Sequence, residues 1–167
     1  MERTVNPEVA RWIEALSLKA HPEGGWYAES FRAERRVIDP NSEKEYSAGT
    51  SIYYLLDDAS FSAFHRVGAD ETWHFYAGTG LSIFHIDRLG HLHKYRLGRD
   101  VMAGEKLQLT IPAHEWFACQ VESPGGFALC GCTVSPGFEF NEFALASREE
   151  LISAYPIHKN VIVRLTL

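Results

Sequence analysis

No run in this sequence approaches the roughly 18 consecutive apolar residues of a membrane-spanning helix, so none is expected. Basic residues are too few to dominate. Sixteen Lys and Arg stand against 22 Asp and Glu, a formal net charge of −6, and they do not gather into one long run. That balance argues against nucleic acid and anionic membrane surfaces as main partners. Cysteine is sparse and odd in number: Cys119, Cys130 and Cys132, the last two inside the apolar run LCGC. Buried free thiols in a reducing cytosol are the plain expectation, and a Cys-x-Cys without a second pair or nearby histidine is a weak metal signal. The opening MERTVNPEVARWIEAL has no apolar signal core, which fits a cytoplasmic protein. Neither a GxxxxGK[ST] loop nor a G-x-G-x-x-G fingerprint occurs, so any nucleotide would need a non-standard cleft. There is no Gly-x-Ser-x-Gly elbow, and no recognisable base neighbours the cysteines in sequence, which weakens nucleophilic catalysis. Repeats, linkers and low-complexity tracts are missing too, and one domain over residues 1–167 is expected.

What the chain has is core material and strand patterning. Hydrophobic residues make up 46% of it, with ten Phe, seven Tyr and four Trp, more rings than core filling usually needs. Some are candidates for a pocket lining, although packing alone accounts for most such rings. Asn6-Pro7 reads as a cap with proline at the first helical position, and Val9, Ile13 and Leu16 share a face, predicting a helix over 7–18. HPEGG at 21–25 stops it. Short strand-like runs follow: TSIYYLL (50–56), ETWHFYAG (71–78), LSIFHI (81–86), HLHKYRL (91–97), KLQLTIP (106–112), EWFACQV (115–121) and FALCGCTV (127–134). Tight turns separate them, a pattern of all-β sandwiches and barrels rather than βαβ units. Ser147-Arg148-Glu149-Glu150 is a capping box that opens a second helix over 147–155, closed by Pro156. The final VIVRLTL alternates weakly, as a last strand or a tail would.

The stretch FSAFHRVGADETWHFYAG (61–78) concentrates the chemistry, with His65 six positions before Glu71 and Gly78 seven after it. Strand alternation puts Glu71, Trp73 and Phe75 on one face and turns His74 away unless a bulge intervenes. Glu71, six intervening residues and Gly78 resemble the second half of the first cupin motif, with His65 at the place of its first histidine. TIPAHEWFACQ stands where the second motif belongs. HPEGGWYAESFR (21–32), TSIYYLL, FHRVGADETWHFYAG (64–78) and CTVSPGFEFNEFAL (132–145) are similar to one cupin branch, the domain of unknown function 985 family. The resemblance spans nearly the whole chain. It implies a cupin jelly-roll β-barrel with a short helix near each terminus, paired into a homodimer.

It does not imply a metal. Metal-binding cupins supply three histidines and a glutamate, whereas here Val67 and Phe117 hold two of the histidine positions and His114 replaces a glycine. Carbon side chains donate no lone pair, and a catalytic metal needs at least three protein ligands. No metal and no cofactor is therefore expected. The favoured reading is a pocket for a small molecule, with His65 and Glu71 as polar anchors among rings; the bland alternative is a satisfied polar pair in the core. Analogy with the metal-free sugar-nucleotide epimerases of the superfamily makes a nucleotide or nucleotide-sugar the ligand. It makes His65 the base, Glu71 (or Asp70) its partner, and Tyr76 or Tyr54 the acid. Ligand contacts are expected from Arg32, Tyr54, Trp73, Phe75, His74, Gln108 and Phe117. Arg32 would meet a phosphate, and Gln108 would offer an amide to the interior. Two other classes stay open: a metal-dependent enzyme that recruits His74 beside His65 and Glu71, and a non-enzymatic binding or storage cupin. His91 and His93 read as an exposed hairpin rather than a metal pair.

Overall fold

The structure, a computed structural model, describes residues 6–40 and 42–167; residues 1–5 of the opening segment and position 41 lie outside it. Asn6 caps helix α1 (Pro7–Ala15) by accepting the Glu8 amide, and proline fills the first turn, where no amide hydrogen is needed. The helix stops short of residue 18 because Ser17 turns left-handed, at φ 52°, and the Leu18 amide folds back onto the Ile13 carbonyl. Strands β1 (Lys19–Ala20), β2 (Trp26–Arg32), β3 (Arg36–Ile38), β4 (Glu45–Ser47) and β5 (Thr50–Asp57) come next. The middle of the chain supplies β6 (Phe61–Arg66), β7 (Asp70–Gly78), β8 (Leu81–Ile86) and β9 (Leu92–Leu97). After a short 3-10 turn come β10 (Gln108–Ile111), β11 (Trp116–Gln120), β12 (Phe127–Ser135) and β13 (Ala144–Leu145). Helices α2 (Arg148–Ala154) and α3 (Lys159–Arg164) close the chain.

The strands form one sheet in the order β1-β2-β5-β12-β7-β10, a second in the order β13-β6-β11-β8-β9, and a separate β3-β4 hairpin. Among the described residues these strands pair antiparallel throughout, with one isolated parallel bridge between Leu97 and Lys106. Among the described residues the ladders stay in distinct sheets and do not close into one hydrogen-bonded barrel, so the architecture is a mostly-β two-sheet sandwich. Alternation decides what each face meets. Inward residues of the two sheets share a cluster, with Tyr54, Trp73, Ile111 and Cys130 from the first against Ile83, Leu97, Phe117 and Cys119 from the second. Outward Leu55 and Leu129 are covered by Val9 and Leu18. Outward Phe64, Phe84, Ile86 and Ala118 are covered by Leu151, Ile162 and Leu165.

That last cluster corrects the reading of VIVRLTL. Its β-branched residues suggest a strand, but Ile162 and Leu165, three apart, are both fully buried on one helical face. Packing overrides local propensity there. No helix among the described residues is long and apolar enough to cross a membrane.

Candidate functional site

A cavity of about 250 Å³ lies on the inner face of the six-stranded sheet. Strand alternation builds most of its wall: Thr50, Ile52 and Tyr54 from β5, Glu71 and Trp73 from β7, and Cys132 and Val134 from β12. His65 closes one side from β6, with Val67 just beyond that strand. The 138–143 segment lies over the mouth with Phe138, Phe140 and Phe143. Arg32 ties this segment down. Its Nε and Nη2 bond the Glu29 carboxylate at 2.9 and 2.8 Å, Nη1 bonds Glu139 at 3.0 Å, and Nη2 also donates to the Phe138 carbonyl at 3.0 Å. Thr50 Oγ1 accepts the Phe138 amide at 2.9 Å, and Tyr46 donates to Glu142.

The centre of the site is a pair that sequence spacing did not reveal. HPEGG does not end the helix, which Ser17 has already closed; it forms a turn after β1. The Gly24 and Gly25 backbones are left-handed, φ 112° and 71°, and the turn docks on β6, where the Glu23 carbonyl accepts the Ala63 amide at 2.8 Å. This drives the Glu23 side chain inward. Its Oε1 accepts from Ser62 Oγ at 2.9 Å, and its Oε2 lies 3.1 Å from His65 Nε2 and 3.7 Å from His21 Nδ1. His65 Nδ1 sits 2.7 Å from the Ala63 carbonyl, which can only accept, so Nδ1 carries a proton, and in the neutral ring Nε2 carries the lone pair. The proton between His65 and Glu23 therefore belongs to the carboxyl. Burial drives the same state, raising Glu23 above the ordinary carboxylate range and lowering His65 to about 4.

Glu71 is the second acid. It is 7% exposed, and its Oε2 has no hydrogen-bond partner; Trp73 Nε1, two residues along the same face, has none either. Desolvation, with the Glu23 carboxyl adding to it, raises Glu71 to about 8, and the Cys132 thiol offsets only part of that. The Tyr54 hydroxyl donates to the Gly24 carbonyl at 2.6 Å, and its ring meets Trp73 edge-on at 5.3 Å. Phe117 backs the site, tilted against His65 at 4.1 Å.

Of the residues expected at the site, His65, Glu71, Arg32, Tyr54 and Trp73 line the cavity. Phe117 stands behind it against His65, and the others fall elsewhere. Tyr76 is 54% exposed and packs against Tyr53 on the outer face. His74 also points outward, 3.1 Å from Thr133 Oγ1, and cannot join Glu71 in a metal set. Gln108 is exposed on the edge strand opposite His74, so its amide does not reach the interior. Phe75 packs on the core without reaching this cavity. Arg32 binds carboxylates rather than waiting for a phosphate. The residues do not fit a metal centre: Val67 offers only carbon, both His65 nitrogens are engaged, and no group of three potential ligands stands together among the described residues. His91 and His93 instead bracket Asp87, at 3.4 and 2.7 Å.

A family model described as Cupin superfamily (DUF985) matches residues 10–146. The chain belongs to this cupin family. No curated protein matches it. Among solved structures, a hypothetical protein from Leishmania major superposes with a TM-score of 0.88 at 32% identity, covering 94% of this chain and 97% of that one. A protein from Shewanella oneidensis gives 0.86 at 40% identity, over 98% and 99% of the two chains. Oxalate decarboxylase from Bacillus subtilis gives 0.53 at 17% identity, over 87% of this chain and 36% of that one, a likeness of fold alone. Glu23, Phe138, Phe140 and Phe143 of this cupin lie inside the stretches HPEGGWYAESFR and CTVSPGFEFNEFAL, so the resemblance marked the segments while local spacing gave no sign of the side chains.

Proposed function

We propose that this cupin binds a compact organic molecule, the size of one sugar or aromatic ring, and moves a proton on it without a metal. One observation carries the reading. Glu71 Oε2 and Trp73 Nε1 are buried polar atoms without partners that border the same cavity. Each unpaired group costs about 1–3 kcal/mol, and a ligand that bonds both recovers this. The volume, about 250 Å³, lies just under the range of drug-sized pockets, which favours a single ring. A protonated Glu71 is an acid able to donate to a ligand oxygen, and the Glu23–His65 pair holds one movable proton beside it. These roles suit an isomerase or epimerase acting next to a carbonyl. If the ligand is a nucleotide-sugar, its ring occupies the interior and its phosphates pass outward near Lys19, because Arg32 is already engaged.

The test is a thermal-shift panel of nucleotides, nucleotide-sugars, free sugars and small aromatic acids, followed by solvent-deuterium uptake into any ligand that binds. A true ligand at a hundred times its dissociation constant adds about 2.7 kcal/mol, and His65→Ala or Glu71→Gln weakens that response. A panel that leaves the native protein unmoved, or moves His65→Ala equally, removes the support for this reading.

A further inference from the structure

The ligand's charge follows from the pocket reading above, with the proton of the Glu23–His65 pair as the one that moves once Glu71 has released its own to become a counter-ion. We infer that the cavity is built for a compact organic ammonium carrying a hydroxyl or carbonyl, its nitrogen set against Glu71 among the aromatic rings and its oxygen on Trp73 Nε1.

The distribution of charge and rings points this way. Two carboxyls, Glu23 and Glu71, are buried at the cavity, and its cationic side chains, Lys19 and Arg32, come from the strands near its mouth. Arg32 is held by Glu29 and Glu139, so it offers the interior acids no counter-ion and each is left to hold a proton. An anionic ligand meets Glu23, Glu29 and Glu71 with nothing inside to neutralise it. A neutral ligand satisfies hydrogen bonds and leaves the acids as they are. An ammonium takes the place of the proton that Glu71 gives up, and the rings of Tyr27, Tyr54, Trp73 and Phe143 are surfaces that a desolvated cation prefers. The mouth already does this once: Lys19 Nζ stands 5.1 Å from the centre of the Tyr27 ring. Trp73 Nε1 is a donor only, which is why the ligand needs an oxygen as well as a nitrogen.

The same geometry sets a pH dependence. The titratable groups around Glu71 are Glu23 from the 21–25 turn, His65 from β6, Cys119 from β11 and Cys132 from β12; the residue beside it on β10 is Ile111. Below about 8 the Glu71 carboxyl holds a proton that an ammonium must displace, so affinity for the cation rises with pH toward that value.

The experiment uses matched pairs on the full chain by calorimetry: choline against its uncharged carbon isostere, and glucosamine against glucose. At least one ammonium member is expected to bind about tenfold more tightly than its neutral partner, releasing a proton near neutral pH, and Glu71→Gln, checked for folding by circular dichroism, is expected to bring the ratio near one. Equal or better binding of the neutral members overturns the ammonium assignment while leaving the pocket reading intact. A ratio that survives Glu71→Gln overturns it also, as does failure of all four probes. The pocket reading itself falls only with the wider panel.

Discussion

At the scale of single residues, Glu71 determines how stability responds to pH. A carboxyl whose pKa is higher in the fold than in the unfolded chain holds its proton preferentially when folded. Its stabilisation is complete below the unfolded value of 4.5 and is lost as pH rises through about 8. His65 works with the opposite slope: lowered to about 4 from 6.5, it favours the fold above 6.5 and loses that as pH falls through about 4. Between 4.5 and 6.5 the two slopes oppose one another; above 6.5 the acids act alone. Glu71→Gln removes one of them at nearly constant volume. The variant is expected to match the native protein near pH 4 and to gain on it by about 1.4 kcal/mol for each pH unit between 4.5 and 8, read from urea midpoints. Parallel curves for the two proteins would mean that Glu71 is solvated and that its unpaired oxygen is not a ligand-binding feature.

At the scale of elements, the strands were legible and the turns that bring the site together were not. Strand-forming runs between tight turns placed β5, β7, β8 and β12 within a residue or two even where, as in β8, every position is buried, and alternation supplied the faces of β7. The same rule put Glu71 and Trp73 on the inner face and His74 outward. It was less reliable farther along β7: Cys130 pairs with Phe75 and Leu129 with Ala77, so Tyr76 sits in a bulge and the following side chains change face. Glu23 is a different kind of failure. Its partners Ser62 and His65 lie about forty positions away, a separation that no local pattern encodes, and a glycine pair after a helix looks the same whether or not it aims a carboxyl inward. The structure supplies the distinguishing fact. A methyl group on Gly24 would stand 2.0 Å from the Phe61 carbonyl oxygen, in a backbone conformation side chains rarely adopt. Gly24→Ala is therefore expected to cost roughly 3 kcal/mol or more and to displace Glu23, abolishing ligand-dependent stabilisation even at temperatures where the variant remains folded. Stability within about 0.5 kcal/mol of the native protein would show that the turn is free to adjust and does not aim the acid.

At the scale of the whole molecule, the question is what the C-terminal helices contribute, since the matched family model ends at residue 146 and both lie beyond it. The second sheet faces the cavity side with His65 and Phe117 and the opposite side with Phe64, Phe84 and Ile86, so β6 carries a site residue and helix-covered residues on alternate positions. Helices α2 and α3 bury Leu151, Ile162 and Leu165 against that outer face. At about 1.5–3 kcal/mol for each side chain, the three contribute roughly 5–9 kcal/mol, comparable with the 5–15 kcal/mol that typically separates folded from unfolded states. Arg148 pins the arrangement by donating to the Thr166 hydroxyl and carbonyl at 2.8 and 2.7 Å. The Leishmania and Shewanella proteins align over 94% and 98% of this chain, so their likeness extends past residue 146. A chain ending at Ala146 is expected to expose this face, bind a hydrophobic dye and lose its cooperative melting transition. Leu151→Ala in the full chain, costing about 2–5 kcal/mol, is expected to lower the melting temperature while keeping the transition single. A truncated chain that melts cooperatively at the native temperature would show that the sandwich sustains itself, with the cavity wall at His65 held by the sheets alone.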